Sequence, residues 1–175
     1  WYEKLRGLKY ASLRYFNAAG YDVDGVLCGL EQNPANLLPI IMEAACGKRE
    51  KISIFGNDYS TRDGTCIRDY IHVSDLASAH VLALEYIASK KESLTLNLGT
   101  GNGITVTEML ESSRKITGKE IKADYVERRP GDPAQLTATS LRAKELLGWE
   151  PKYSDVDTLI SSTYKAYIKY HEENK

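Results

Sequence analysis

Short apolar segments typical of strands alternate along the chain with longer segments of helical periodicity, and this alternation most constrains the fold. Strands are predicted at residues 11–16, 52–55, 67–73, 94–98 and 121–126. Helices are predicted at residues 37–46, 75–88, 106–117, 140–147 and 155–168. Because the two kinds of element alternate, the sequence predicts an α/β fold with some parallel sheet.

Local signals place several element ends. Asn36 and Asp75 are each predicted to cap the helix that follows. Thr105 and Glu108 have the spacing of a capping box, which predicts a helix start at that point. Residues 17–20 are predicted to form a turn. The helix after Asp75 is apolar on almost all sides, so we expect it to be buried.

Composition excludes several classes of protein. The 23 basic and 24 acidic residues nearly cancel and form no basic block, so we expect neither a nucleic-acid partner nor a membrane partner. No apolar run approaches the roughly 20 residues needed to cross a bilayer. The cysteines are odd in number and widely spaced, which indicates a reducing cytoplasm rather than a disulfide framework or a metal site. They are Cys28, Cys46 and Cys66.

Several polar and aromatic residues are candidates for an anion site. The glycine-rich turn at residues 99–103 has G-x-G-x-G spacing, which favours a plain turn over a phosphate cradle. Arg68 and Arg129 are either surface charges or a bidentate clamp for a diphosphate. Asn36 is either a helix cap or a contact to an anion at the helix N-terminus. Phe55 is either a core residue or a surface for a base.

The segment from Phe55 to Ala77, FGNDYSTRDGTCIRDYIHVSDLA, resembles the signature of the UDP-glucose 4-epimerases, members of the extended short-chain dehydrogenase/reductase family. The same resemblance extends to residues 14–17, 36–39, 97–99 and 128–132. It implies a Rossmann-like, NAD(P)-binding α/β fold. This chain would be the C-terminal, UDP-sugar-binding part, with residues 11–17 and 94–99 as the last strands of the dinucleotide sheet.

The family resemblance also implies an activity and a set of site residues. The reaction is the NAD-dependent removal and return of hydride at C4, which interconverts UDP-galactose and UDP-glucose in a cytoplasmic homodimer. By position, Asn17 would contact the substrate and Tyr15 would lie near the nicotinamide. The UDP-sugar would be held by Asn36, Leu37, Ser53, Phe55, Arg68, Arg129, Asp132 and Leu136. Leu136 corresponds to a sugar-pocket position that is bulky Tyr in some members, so N-acetylated sugars are a further hypothesis.

The family's glycine-rich cofactor loop, catalytic Ser or Thr and Y-x-x-x-K pair would precede Trp1 by this resemblance. We therefore expect the chain to contribute no catalytic residue, to be inactive by itself and to expose sheet edges and apolar surface. Three alternatives stay open. They are a UDP-pentose or UDP-N-acetylhexosamine 4-epimerase, a dTDP-glucose dehydratase, which the Asp-Gly-Thr loop disfavours, and a non-catalytic nucleotide-sugar-binding module.

Overall fold

A computed structural model of the chain describes residues 1–173, which form nine strands and six helices. The strands are β1 Ala11–Arg14, β2 Asn17–Ala19, β3 Ile52–Phe55, β4 Ile67–Arg68, β5 Tyr70–His72, β6 Leu94–Asn97, β7 Ile104–Thr105, β8 Ala123–Val126 and β9 Gln135–Leu136. The helices are α1 Tyr2–Arg6, α2 Leu37–Ala45, α3 Val73–Lys90, α4 Val106–Thr117, α5 Leu141–Leu147 and α6 Val156–Glu173.

The strands pair mainly in parallel. Strands β1 and β6, β2 and β5, and β3 and β8 form three two-stranded parallel sheets. In the fourth sheet β4 lies between β7, to which it is antiparallel, and β9, to which it is parallel. The parallel pairs join strands that are distant in sequence and separated by helices, so the α/β prediction is confirmed.

Two apolar clusters form the core. One joins helices α2, α4 and α6 to β3, and its buried members include Ile41, Met42, Met109, Leu159 and Ile160. The other joins α3 and α5 to β5 and β6, and its buried members include Ile71, Leu76, Leu94, Leu96 and Trp149. The indole N–H of Trp149 donates to the Asp75 carbonyl at 3.1 Å, so burial of this large ring leaves no polar atom without a partner.

The predicted start of α4 is confirmed. The Thr105 hydroxyl accepts from the Glu108 backbone N–H at 3.0 Å, and Glu108 Oε2 accepts from the Thr105 N–H at 2.9 Å. This reciprocal pair satisfies two backbone donors that the first helical turn leaves free. Asn36 also stands at the predicted N-cap position of α2, but its side chain makes no capping hydrogen bond.

The start of α3 differs from the prediction. The cap is His72, whose Nδ1 accepts from the Ser74 N–H at 3.0 Å. Burial lowers the pKa of His72, which favours the neutral ring that this bond requires. Asp75 is buried and instead accepts from the N–H groups of Lys152 and Tyr153, each at 2.9 Å. These partners are distant in sequence, so the local pattern could not reveal them.

Three other predictions were wrong. Residues 17–19 form strand β2, which pairs with β5, and are not a turn. The predicted 67–73 strand is divided at Asp69 into β4 and β5, which belong to different sheets. Helix α3 is not buried on all sides, because Val81 and Leu84 are 57% and 68% exposed.

None of the helices in residues 1–173 has the length and apolar character that a membrane crossing requires. The same residues contain no cluster of His, Cys, Asp and Glu that could hold a metal ion.

Candidate functional site

A cavity of about 330 Å³ opens between the N-terminus of α2, strands β3 and β4, and the loop after β8. Eight of the nine residues predicted to bind a UDP-sugar line it. They are Asn17, Asn36, Leu37, Ser53, Phe55, Arg68, Arg129 and Asp132. They come from five segments that are distant in sequence, and the fold brings their side chains to one cavity. We call this space the nucleotide cavity.

Strand β3 forms one wall of the nucleotide cavity. In β3 the side chains of Ile52 and Ile54 are buried in the core, and the alternate residues Ser53 and Phe55 line the cavity. The guanidinium carbon of Arg129 lies over the Phe55 ring, 3.8 Å from its centroid. This stacking holds a planar cation against an aromatic face at the cavity wall.

A second guanidinium in the nucleotide cavity is held by protein contacts. Arg68 forms an ion pair with Asp132, and its Nη1 donates to the Ile67 carbonyl at 2.7 Å. The Asp132 N–H donates to the Arg129 carbonyl at 3.2 Å, so the Arg68–Asp132 ion pair joins Arg68 to the turn that carries Arg129. Within residues 1–173 Arg129 forms no ion pair with a carboxylate. Arg129 is therefore the cation most available to an anionic ligand.

Sequence reasoning missed other residues that line the nucleotide cavity. They include Arg49, Lys51, Cys66 and Tyr70. Lys51 precedes Ser53 by two positions, and Tyr70 follows Arg68 by two. Residues two apart in an extended segment share a face, so this spacing predicts that both line the cavity. Arg49 pairs with Glu43 at 2.7 Å and Lys51 with Asp124, so both cations are largely compensated. Burial raises the pKa of Tyr70, which keeps its phenol protonated and unsuited to act as a base at neutral pH.

Tyr15 lines a second cavity, of about 520 Å³, with Arg14, Phe16, Asn97 and residues 137–139. We call it the Tyr15 cavity. Arg14 and Asn97 are the last residues of the paired parallel strands β1 and β6. The cavity therefore lies at the C-terminal ends of parallel strands, where ligands of α/β proteins bind.

Leu136 lines neither cavity but lies between them. It is opposite Arg68 in the parallel β4–β9 pair, and Arg68 lines the nucleotide cavity. The next residue, Thr137, lines the Tyr15 cavity. The chain therefore passes from β9, paired beside the nucleotide cavity, into the lining of the Tyr15 cavity.

The sequence contains one Y-x-x-x-K spacing, at Tyr86 and Lys90. Both residues lie on the last turns of α3, and the Tyr86 hydroxyl donates to Glu92 at 3.3 Å. Neither residue lines the nucleotide cavity or the Tyr15 cavity. This pair therefore lies away from both cavities, and its spacing is a coincidence.

The family model described as GDP-mannose 4,6 dehydratase matches residues 1–163. The chain belongs to this family. Curated relatives at 42–47% identity are UDP-glucose 4-epimerases, and so are several solved structures with the same fold, which confirms the resemblance found in the sequence. The UDP-glucose 4-epimerase of Halalkalibacterium halodurans is 46% identical over 180 residues, a match that takes in 100% of this chain and 54% of the relative.

Two solved structures of family members have the same fold. The Brucella ovis UDP-glucose 4-epimerase in complex with NAD has a TM-score of 0.91 and 44% identity, covering 95% of this chain and 51% of that chain. The Bifidobacterium longum UDP-glucose 4-epimerase in complex with NAD+ and UDP has a TM-score of 0.87 and 36% identity, covering 96% and 50%. The chain thus spans about half the length of the family members it matches.

Proposed function

We propose that this chain is the UDP-sugar-binding part of a UDP-glucose 4-epimerase that interconverts UDP-galactose and UDP-glucose. The observation that carries the proposal is the nucleotide cavity, where Arg129 stacks on Phe55 beside Ser53 and Arg68 faces them from β4. An aromatic wall next to two guanidinium groups suits a base attached to a diphosphate. The complex of the Bifidobacterium longum relative with UDP supports the same ligand.

Each group in the nucleotide cavity has a part in holding UDP. Ser53 and Phe55 contact the uracil, and Asn36 and Leu37 at the start of α2 contact the UDP. Arg68 and Arg129 neutralise the diphosphate, while Asp132 orients Arg68 and reaches the ribose. Binding energy placed on the non-reacting UDP lets the sugar be held loosely and turn in the site.

The Tyr15 cavity fits the nicotinamide end of NAD. Tyr15 and Phe16 supply aromatic surface at the ends of two parallel strands, and Asn97 supplies an amide beside them. Bound there, NAD would supply the chemistry of accepting and returning the hydride at C4. Asn17 contacts the sugar near this point. We expect the chain to contribute no general base for this reaction and therefore to be inactive without the part that the relatives carry in addition.

Two experiments test the proposal. Isothermal titration of the chain with UDP should show saturable binding that is weaker for UMP and weakest for uridine. The residues of the Halalkalibacterium halodurans epimerase that precede its matched region can then be joined to this chain, and this chimera should convert UDP-galactose to UDP-glucose. UDP binding together with an inactive chimera would favour a non-catalytic nucleotide-sugar-binding module. A chain that does not bind UDP would contradict the proposal.

The sugar specificity rests on Leu136. Because leucine is smaller than tyrosine, we propose that the chimera also accepts UDP-N-acetylglucosamine. Activity on this substrate no greater than background would refute the wider specificity and leave the hexose reaction in place. Turnover of a UDP-pentose above that of UDP-galactose would favour the pentose epimerase instead.

We also propose that the full-length enzyme is a cytoplasmic homodimer. The family resemblance supports the dimer, and the three free cysteines support a reducing compartment. Sedimentation of the chimera tests the first point, since a monomer at micromolar concentration would contradict it. Localisation of the tagged protein in cells tests the second.

A further inference from the structure

Asp69 lies at the junction of β4 and β5, between two residues that line the nucleotide cavity. Its neighbours Arg68 and Tyr70 line the cavity, and Asp69 does not. Side chains alternate along an extended segment, so the Asp69 carboxylate points to the other side. It is 1% exposed, which is unusual for a carboxylate and requires compensating contacts.

Hydrogen-bond donors from two other segments compensate the Asp69 carboxylate. Oδ1 accepts from the Thr100 N–H at 3.1 Å and from the Thr100 hydroxyl at 2.8 Å. Oδ2 accepts from the Ala138 N–H at 3.0 Å. No cation of residues 1–173 forms an ion pair with it. The carboxylate therefore joins the turn after β6 to the segment after β9.

The backbone of Asp69 contacts two of the predicted sugar-binding residues. The Asn17 side-chain amide donates to the Asp69 carbonyl at 2.9 Å. The Asp69 N–H donates to the Leu136 carbonyl at 3.0 Å. Asp69 thus contacts Asn17 in the nucleotide cavity, Leu136 between the cavities and Ala138 in the Tyr15 cavity.

The packing around this junction leaves little freedom. A Cβ atom at Gly99 would stand 2.1 Å from the Ala138 carbonyl oxygen and 2.8 Å from Asp69 Oδ2. The Gly101 N–H also donates to the Ala138 carbonyl, at 2.9 Å. The relative position of the two cavities is therefore set by contacts that converge on Asp69 and Ala138.

We propose that Asp69 is a positioning residue that aligns the sugar end of the site with the Tyr15 cavity. The inference rests on the proposed function. Phe55, Arg68 and Arg129 hold UDP, and none of their side chains forms a hydrogen bond with the Asp69 carboxylate, so UDP affinity should not depend on that carboxylate. Reaction at C4 depends on alignment, and a misplacement of about 1 Å can reduce a rate by about 10²-fold.

The test is Asp69→Asn in the chimera. Asparagine keeps the shape of aspartate, but its NH₂ group must face the N–H donor of either Thr100 or Ala138, which displaces the turn after β6 or the segment after β9. We expect kcat to fall by about 10²-fold, with the dissociation constant for UDP close to that of the parent chimera. An unchanged kcat would overturn the inference, as would a parallel loss of UDP affinity and thermal stability.

A matched pair at Thr100 keeps the inference testable if Asp69→Asn does not fold. Thr100→Val removes one donor to the carboxylate, whereas Thr100→Ser keeps it. We expect a lower kcat for Thr100→Val and parental kcat for Thr100→Ser, both with parental UDP affinity. Equal kcat values for the two variants would overturn the inference. A parent chimera without UDP binding or turnover would instead contradict the proposed function.

Discussion

The guanidinium of Arg129 lies over the ring of Phe55, with its central carbon 3.8 Å from the ring centroid. The preceding residue, Arg128, stacks on a different ring, that of Tyr59, at 4.0 Å, and pairs with Asp58. Of these two arginines, Arg129 lines the nucleotide cavity and Arg128 does not. The two arginines stack in the same way but only one faces the cavity. Replacing each in turn therefore separates the effect of the cavity position on UDP binding from the effect of the stacking.

Arg129→Ala should weaken UDP binding, because it removes both a phosphate-binding cation and the cover of Phe55. Hydrogen bonds to charged groups contribute about 1.5–3 kcal/mol, so we expect a loss of roughly 10- to 100-fold in affinity. Arg129→Lys should recover only part of this loss, since lysine keeps the charge but not the planar stacking. Isothermal titration of the chimera with UDP measures both.

The control for Arg129→Ala is Arg128→Ala, which removes an equivalent stacked arginine outside the cavity. Its affinity for UDP should stay close to that of the parent. Equal losses for the two variants would mean that net charge, rather than the cavity, determines binding.

Leu136→Tyr should narrow the range of sugars that the chimera accepts. The added ring would fill space between the nucleotide cavity and the Tyr15 cavity, so the bulk of an N-acetyl group should be excluded. We expect a lower kcat/KM for UDP-N-acetylglucosamine, with kcat/KM for UDP-galactose close to the parental value. Leu136→Met, which conserves volume, is the control. Equal effects on both substrates would show that Leu136 does not discriminate between them.

Sequence periodicity predicted those elements whose determinants are local. The capping box of Thr105 and Glu108 was found because both partners lie within one helical turn. The sequence also predicted a strand at residues 52–55, but it left Phe55 as either a core residue or a surface for a base, and the structure places this ring at the cavity wall. The gathering of Asn17, Arg68 and Arg129 in one cavity depends on long-range pairing, so only the family resemblance could predict it.

The missed features have long-range or weak determinants. Strand β9 has two residues, too few for any periodicity to show. The division of the predicted 67–73 strand at Asp69 depends on partners at Asn17, Thr100 and Leu136, which are distant in sequence. The exposure of Leu84 depends on which other elements pack against α3. An apolar residue does not by itself show whether another element packs on it.

Leu84→Gln should reduce self-association of the chain. Leu84 and Val81 are neighbours on α3 and are largely exposed, and exposed apolar surface of this kind favours association in water. We expect a lower weight-average sedimentation coefficient at high concentration, with a change in the free energy of unfolding within about 0.5 kcal/mol. The control is Glu85→Gln on the same helix. If Leu84→Gln leaves self-association unchanged, another surface of the chain is responsible for it.

Glu108→Gln should change how stability depends on pH. Arg62 donates two hydrogen bonds to the Glu108 carboxylate, one of them from Nε to Oε1 at 2.6 Å, and the Thr105 N–H donates a third. These contacts lower the pKa of Glu108 to about 2, from an ordinary value of 4.5. The folded state therefore favours the ionised carboxylate. Its contribution to stability is complete above pH 4.5 and is lost as the pH falls towards 2.

The Glu108→Gln variant keeps the shape of the side chain and the cap to Thr105, but it removes the charge that pairs with Arg62. At pH 7 its midpoint of thermal unfolding should lie below that of the parent, and the difference should shrink as the pH falls from 4.5 to about 2. Glu111→Gln, on the same helix and paired with Arg114 at 2.6 Å, is the control. Its effect should be smaller, because Glu111 accepts one hydrogen bond from Arg114 on its own helix, and a pair within one helix contributes about 0.3–0.5 kcal/mol. A difference for Glu108→Gln that stays constant from pH 7 to 2 would show that the ionised carboxylate does not stabilise the fold.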